Sequence, residues 1–401
     1  MNDELDDLFD TYLERQSIFE DKEVLLLRYF PSKIPHRSEQ IKKIGSILAP
    51  ALRNNKPSNI FIYGKTGTGK TLCTQYTLNK LKEKAESAGT KIRFAYLNCK
   101  LKKVADTEYR VIAGLAKALG EKVPITGLPT DEVYNIFINK IDETDQIIII
   151  VLDEIDRLIK KTGDEILYSL IRLNSELKNA KLCLIGISND VRFIEDIDPR
   201  VKSSLGEEEI IFPPYNALEL KDILEERSKK AFRKDTIDNA VLAKCAAYAA
   251  KEHGDARRAL DLLRVAGEVA DREGKDIVLM EHIKLAEEKI EINRISELVK
   301  TLPNQSKLII YSIFKLIEKT NTKLETGEIY DKYKDMCNTN GTSILTQRRI
   351  SDLISELDML GLINARLISK GRHGRTREIY STIPNDLSDK LKDEIKYELM
   401  L

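Results

Sequence analysis

The sequence predicts an α/β domain built on a five-stranded parallel sheet, then an all-helical domain, then three helices closed by a β-hairpin. Three observations carry this expectation. Up to Pro214, short runs rich in Ile, Val, Phe and Tyr alternate with amphipathic segments: NIFIYG (residues 59–64), KIRFAYLNC (91–99), QIIIIVLDE (146–154), KLCLIGIS (181–188) and EEIIFPP (208–214). Continuous apolar runs between helices belong to a parallel sheet covered on both faces. QIIIIVL, with almost no polar face, belongs in its middle. After Pro213-Pro214 only helical periodicity remains, as in LELKDILEERSKKAF and NAVLAKCAAYAAKE, to about Ser296. Beyond a break at Thr301-Leu302-Pro303-Asn304, SKLIIYSIFKLIEK, ETGEIYDKYKDMC and TQRRISDLISELDMLGLI precede the strand-like ARLIS and REIYST. That order is the winged variant of helix-turn-helix. The expected boundaries are an acidic, partly ordered lead-in over residues 1–20, the α/β domain over 21–213, the helical domain over 214–298 and the winged helix over 299–401.

The composition narrows the function classes. The chain has 401 residues, enough for two or three domains that each bury a core. No run reaches the roughly 18 apolar residues of a membrane helix. MNDELDDLFD is acidic and lacks the basic and apolar regions of a signal peptide. Cys73, Cys99, Cys183, Cys245 and Cys337 are scattered, without a CxxC pair, which argues against a disulfide framework or a zinc site and for a reducing cytoplasm. Lys and Arg number 65 against 65 Asp and Glu, yet Arg366, Lys370, Arg372, Arg375 and Arg377, with His373, crowd the hairpin without an acid between them. A local patch of this kind binds an anionic partner within a neutral whole.

GKTGTGKT (Gly64, Lys65, Thr66, Gly67, Thr68, Gly69, Lys70, Thr71) is a complete GxxxxGK[ST] loop between an apolar strand and a helix, the context that motif requires. Its glycines let backbone N–H groups curl around phosphate oxygens, and the helix that follows adds its positive end. Lys70 would reach the β- and γ-phosphates and Thr71 would bind Mg²⁺. The carboxylates of LDEID leave the most apolar strand at its C-terminal end, where ligands bind in open α/β sheets. Asp153 suits the Mg²⁺ shell, and Glu154 a water that attacks the γ-phosphate. Ser188-Asn189 ends the next strand, where an amide would orient that water. By themselves, Ser-Asn-Asp is ordinary turn chemistry and Arg200, Arg257 and Arg258 are ordinary surface arginines. Leu72, at the head of the helix, and Tyr215, just past Pro214, complete the candidate cofactor-binding set. The cofactors expected are ATP or ADP with Mg²⁺.

Taken in order, PHRSEQI, GKTGTGKT, VLDEID, GISND, DPRVKSSL, GDARRALDLLR and GRHGRT resemble the AAA+ ATPases, and specifically the archaeal origin recognition complex / cell division control replication initiators. The resemblance covers nearly the whole chain from about Pro35. It implies that Asn189 is the first sensor of the γ-phosphate, that Arg257 is the second sensor with Arg258 as the alternative, and that Arg200 is an arginine finger for a neighbouring subunit. It also implies that Pro35, His36 and Arg37 wall the adenine pocket, and that ITGLPTDEVY (residues 125–134) is near a DNA-contacting insertion. DPRVKSSL departs from the pattern at Ser204, where relatives carry a second basic residue, which leaves the finger assignment open. The family binds double-stranded DNA at replication origins, acts with paralogous initiator subunits, helps load the replicative helicase and hydrolyses ATP slowly as a switch. A cytoplasmic, nucleoid-associated protein without membrane partners is expected.

In a winged helix the third helix enters the major groove and the wing reaches the backbone or minor groove. Gln347, Arg348 and Arg349 open that helix, and Arg372, His373, Arg375 and Arg377 lie on the wing, so these are the candidate DNA-binding residues. Two other function classes share the motif set: an ATP-sensing transcription regulator, and a clamp-loader-like remodelling ATPase.

Overall fold

The computed structural model describes residues 2–100, 106–124, 127–190, 192, 197–205, 207–320, 323–369, 375–383 and 385–399. The chain divides into two compact units, Met1–Ile283 and Lys284–Leu401. Among the described residues no helix is long and apolar enough to cross a membrane.

The first unit opens with α1 (Asn2–Glu14), so most of the acidic lead-in is a regular helix, and continues through α2 (Ser38–Leu48) to the sheet. There β1 (Ile60–Tyr63), α3 (Lys70–Ala88), β2 (Ile92–Asn98), α4 (Glu108–Ala118), α5 (Thr130–Ile141) and β3 (Ile147–Asp153) follow in turn. They are succeeded by α6 (Ile155–Thr162), α7 (Glu165–Arg172), β4 (Lys181–Ser188), α8 (Pro199–Leu205) and β5 (Glu208–Ile211). The five strands are parallel in the order β2-β3-β4-β1-β5. All of Ile147–Asp153 is buried, because β3 has a neighbour on each side and a packed layer on each face. β3, β4 and β1 are parallel neighbours in this order, so their C-terminal ends lie together along one edge, where ligands bind in open α/β sheets.

The helical part of this unit is α9 (Ala217–Ala231), α10 (Asn239–Lys251) and α11 (Ala256–Arg272). Asn216 starts α9 with a reciprocal capping box to Glu219, so the turn from Pro213-Pro214 into the helix is fixed locally. Ile18 is buried and Phe19 packs on Phe232, which ties the lead-in to this layer. The helix α12 (Met280–Thr301) runs from the first unit into the second.

The second unit holds α13 (Asn304–Thr320), β6 (Leu324–Glu325), α14 (Thr326–Thr339), α15 (Gln347–Met359), β7 (Ile363–Ser369), β8 (Arg375–Ser381) and α16 (Asn385–Leu399). The hairpin has the expected register, with Ala365 opposite Ile379. Two elements go beyond the expected three helices and hairpin. β6 adds a third, two-residue strand beside β8, and α16 returns across the domain through Leu387, Leu391, Ile395 and Leu399, all buried in its core. The residues expected near a DNA-contacting insertion are regular from Thr130 onward: α5 begins there and buries Val133 and Phe137 with α4, leaving Gly127–Pro129 as irregular chain among the described residues.

Candidate functional site

The turn after β1 is shaped by close approach. Gly67 has φ +73°, and a Cβ there would fall 1.7 Å from an Asp255 carboxylate oxygen. Asp255 caps α11 through the Arg257 amide, and the Ala256 amide donates to the Gly67 carbonyl. The helical layer therefore rests directly on the phosphate loop. Gly254 makes the same kind of contact one residue earlier, at φ +68°, with its missing Cβ 2.3 Å from the Tyr215 carbonyl. This explains why GDA begins the GDARRALDLLR motif: only glycine and a short cap let the helix start against the loop.

Lys70 Nζ is buried and donates to three neutral oxygens, the Gly64 and Lys65 carbonyls and Asn189 Oδ1, each at 2.8 Å. Burial pulls its ammonium down to about 8, with Arg257 adding a like charge and Asp153 opposing. The Thr71 hydroxyl donates to Asp153 Oδ2 at 2.8 Å, and the Tyr96 hydroxyl donates to the same oxygen at 2.6 Å. Asp153 Oδ1 takes the Glu154 amide at 2.9 Å. Glu154 itself stands at φ +56°, a sparsely populated region for a side chain of its size, at the N-terminus of α6.

A cavity of about 420 Å³ joins these groups. Gly67, Gly69, Lys70, Thr71, Leu72, Asp153, Glu154 and Asn189 line it from the sheet, and Tyr215, Arg257 and Leu260 from the helical side. The neighbouring Arg258 pairs instead with Glu252, so Arg257 is the arginine of that helix on the wall. Pro35 lines the cavity as well.

His36 and Arg37, expected with Pro35 to wall the adenine pocket, are not among the residues that line this cavity. His36 pairs with Asp222 at 2.9 Å. Arg37 is 2% exposed; it donates to the Thr68 carbonyl at 2.9 Å and the Pro213 carbonyl at 2.6 Å, with its guanidinium 3.7 Å from the Tyr215 ring centroid. It braces the loop from beneath. That side of the cavity is lined by Leu26, Tyr29, Phe30, Ile34, Ile223 and Arg227, of which Arg227 lies over the Tyr29 ring. In the sequence, LLRYFPSKI offered the aromatic and apolar residues for such a wall, but nothing local to say that they return to the loop. Gly64 and Thr68 are buried within the turn, while Lys65 and Thr66 stand exposed at its tip.

Arg200 lies on α8, clasped by Asp198 through both Nε and Nη2, and 5.2 Å from the Tyr168 ring. It does not line this chain's own cavity, and the guanidinium draws the Asp198 carboxyl down to about 2.

The residues fit a nucleotide with a divalent cation. A buried ammonium whose partners are all neutral, at a loop whose glycines admit no Cβ, is an anion receptor. The adjoining Thr71 hydroxyl and Asp153 carboxylate are the hard oxygen ligands that Mg²⁺ favours.

In the second unit, Thr346 caps α15 and leaves Gln347, Arg348 and Arg349 exposed in its first turn. Arg348 and Gln347 line a groove with Ser351, Leu367 and Arg377. Arg377 is engaged there, donating to the Ser351 carbonyl at 2.6 Å and so bracing the wing against α15. Arg372 and His373 lie outside the described residues; Arg375 begins β8.

An α/β sheet with this loop and a helical layer resting on it defines an AAA-type ATPase. The AAA domain profile matches residues 53–194, the Cdc6 AAA+ ATPase-type lid domain residues 221–288, and the CDC6 C-terminal winged helix domain residues 297–390. ORC1-type DNA replication protein 1 of Methanosarcina acetivorans is 52% identical over 382 residues, spanning 95% of this chain and 91% of that one. The Pyrococcus horikoshii ORC1-type DNA replication protein is 52% identical over 379 residues, 94% of this chain and 90% of its own. The solved structure of the Aeropyrum pernix ORC1 protein in complex with DNA is 45% identical with a TM-score of 0.82, covering 95% of this chain and 98% of that one. The chain belongs to the archaeal ORC1/Cdc6 family of replication initiators.

Proposed function

We propose that this protein is an ATP-regulated replication initiator that binds double-stranded DNA at origins and helps load the replicative helicase, with slow ATP hydrolysis as the switch. The observation that carries the reading is that one cavity is lined by Lys70, Asp153 and Asn189 from the sheet and by Arg257 from the helical layer. A nucleotide held there meets both parts of the unit, so gain or loss of its γ-phosphate changes the contacts that keep them together.

In this reading the loop from Gly64 to Thr71, with Leu72, Tyr215 and Pro35, holds the nucleotide, and Thr71 and Asp153 hold Mg²⁺. When bound, the cation neutralises charge that develops on the transferred phosphoryl group. Lys70 orients the β- and γ-phosphates, Asn189 and Glu154 orient and deprotonate the attacking water, and Arg257 senses the terminal phosphate. Arg200, outside its own cavity, serves as the finger toward a paralogous initiator subunit. Arg348 and Gln347 read the major groove, Arg349 stands beside them, and the wing with Arg372, His373, Arg375 and Arg377 meets the backbone. The protein works at the nucleoid in the cytoplasm. The Aeropyrum ORC1 protein, similar over nearly its whole length, was solved bound to DNA, which supports this assignment.

The test is reconstitution of helicase loading on a plasmid carrying the protein's own chromosomal origin. Wild type should leave salt-resistant helicase on the DNA, and Lys70→Ala should lose both nucleotide binding and loading. Glu154→Gln should bind ATP and turn it over far more slowly. Loading by Lys70→Ala at the wild-type level would overturn the reading.

A further inference from the structure

Tyr96 lies on β2 with its hydroxyl 2.6 Å from Asp153 Oδ2, and none of the motifs accounts for it. Its place is fixed by the sheet: Tyr96 pairs with Val151, Asn98 with Asp153, and the Cys99 amide donates to the Asp153 carbonyl at 2.8 Å, extending the ladder past the strand end. Tyr96 is 37% exposed and lines the cavity, so the hydroxyl reaches the carboxylate from the cavity side rather than from the core. Asp153 is thereby held at both oxygens. Oδ1 is fixed by the next residue's amide at 2.9 Å, and Oδ2 by two hydroxyls, Thr71 at 2.8 Å and Tyr96. Only one of these donors is itself a candidate cation ligand. If Thr71 turned a lone pair toward a cation, its hydroxyl proton would still satisfy Oδ2 only along a restricted direction. The Tyr96 hydroxyl would then be the side-chain donor free to keep the carboxylate plane in place.

We propose that Tyr96 is a positioning residue for the divalent cation: its hydroxyl fixes the Asp153 carboxylate in the orientation that receives Mg²⁺. The inference rests on the reading of Asp153 as the cation-binding carboxylate. Partners that orient a metal's ligands typically contribute tenfold to a hundredfold in metal affinity, and hydrogen bonds to a charged acceptor are the stronger kind.

The experiment titrates MgCl₂ into full-length protein with a fluorescent ATP analogue, in wild type, Tyr96→Phe and Asp153→Asn. A parallel measurement of analogue affinity in EDTA reports the phosphate loop without the cation and shows that each variant is folded. Tyr96→Phe should raise the Mg²⁺ midpoint by roughly tenfold and leave the EDTA affinity unchanged. An unchanged midpoint in Tyr96→Phe alongside a raised one in Asp153→Asn overturns the role of Tyr96 and leaves the site reading standing. An unchanged midpoint in both overturns the site reading and this inference with it. A midpoint that moves only in proportion to a loss of EDTA affinity shows a general structural effect and also overturns the proposal.

Discussion

At the scale of single residues, the site stores its specificity in groups that sit uneasily when nothing binds them. Lys70 is a buried ammonium without a counter-ion among its hydrogen-bond partners, and burial lowers it to about 8 from an ordinary 10.5. Phosphate favours the charged form, so nucleotide binding should take up a proton near pH 8, and affinity should fall as pH rises from 7 to 9. Calorimetry in buffers of different ionisation enthalpy reads that uptake directly; binding without proton uptake near pH 8 would show that Lys70 is already charged there before the nucleotide arrives. The sign for stability is opposite. Without nucleotide the unfolded chain holds the extra proton between about pH 8 and 10.5, so this residue's effect is to raise stability with pH across that window. Gly67 makes a second residue-scale prediction. Alanine there carries a left-handed backbone penalty of about 1–2 kcal/mol and drives a methyl into Asp255. Asp255→Ala should relieve the collision but lose the cap, so a double-mutant cycle read by thermal denaturation should show coupling between the two sites. Strict additivity would mean that the helix has moved off the loop.

Elements explain which expectations the structure altered. The resemblance implied that Arg37 walls the adenine pocket; in the structure it is the residue that precedes α2. That helix start lies beneath the loop, where a guanidinium satisfies the Thr68 and Pro213 carbonyls together. Arg37→Met should leave two backbone acceptors without their donor, at about 1–3 kcal/mol each. Arg37→Lys should not restore the loss, because an ammonium lacks the planar fork. Denaturant unfolding measures both; a loss under about 0.5 kcal/mol for Arg37→Met would show that the loop does not depend on it. The same scale accounts for the two elements missed in the winged helix. The apolar positions of α16 recur every fourth residue from Leu387 to Leu399, so that helix was legible by periodicity. β6, with two residues, was not: Leu324 and Glu325 become a strand only because β8 lies beside them.

The whole molecule is two compact units with separate cores, one built around the sheet and its helical layer and one around α13 to α16. The cavity is lined entirely by the first. A ligand stabilises only what it binds, by about 2.7 kcal/mol at a hundred times its dissociation constant. Scanning calorimetry with saturating ATP and Mg²⁺ should therefore raise the transition of residues 1–283 and leave that of residues 284–401 in place. Equal shifts in both would show that the units unfold as one.

The strands themselves, the phosphate loop, the acidic strand end and the helical character of the middle segment were determined by the sequence, because each depends on residues within about ten positions of one another; the strand order β2-β3-β4-β1-β5 was not. Tertiary structure decided what depends on distant returns of the chain. It set Arg37 under the loop and the segment around Tyr29 on the cavity wall, put Arg257 rather than Arg258 on that wall, and brought the Tyr96 hydroxyl to Asp153. Local pattern records a residue's own helix or strand face; it carries no record of which remote carbonyl, ring or carboxylate will be packed against that face.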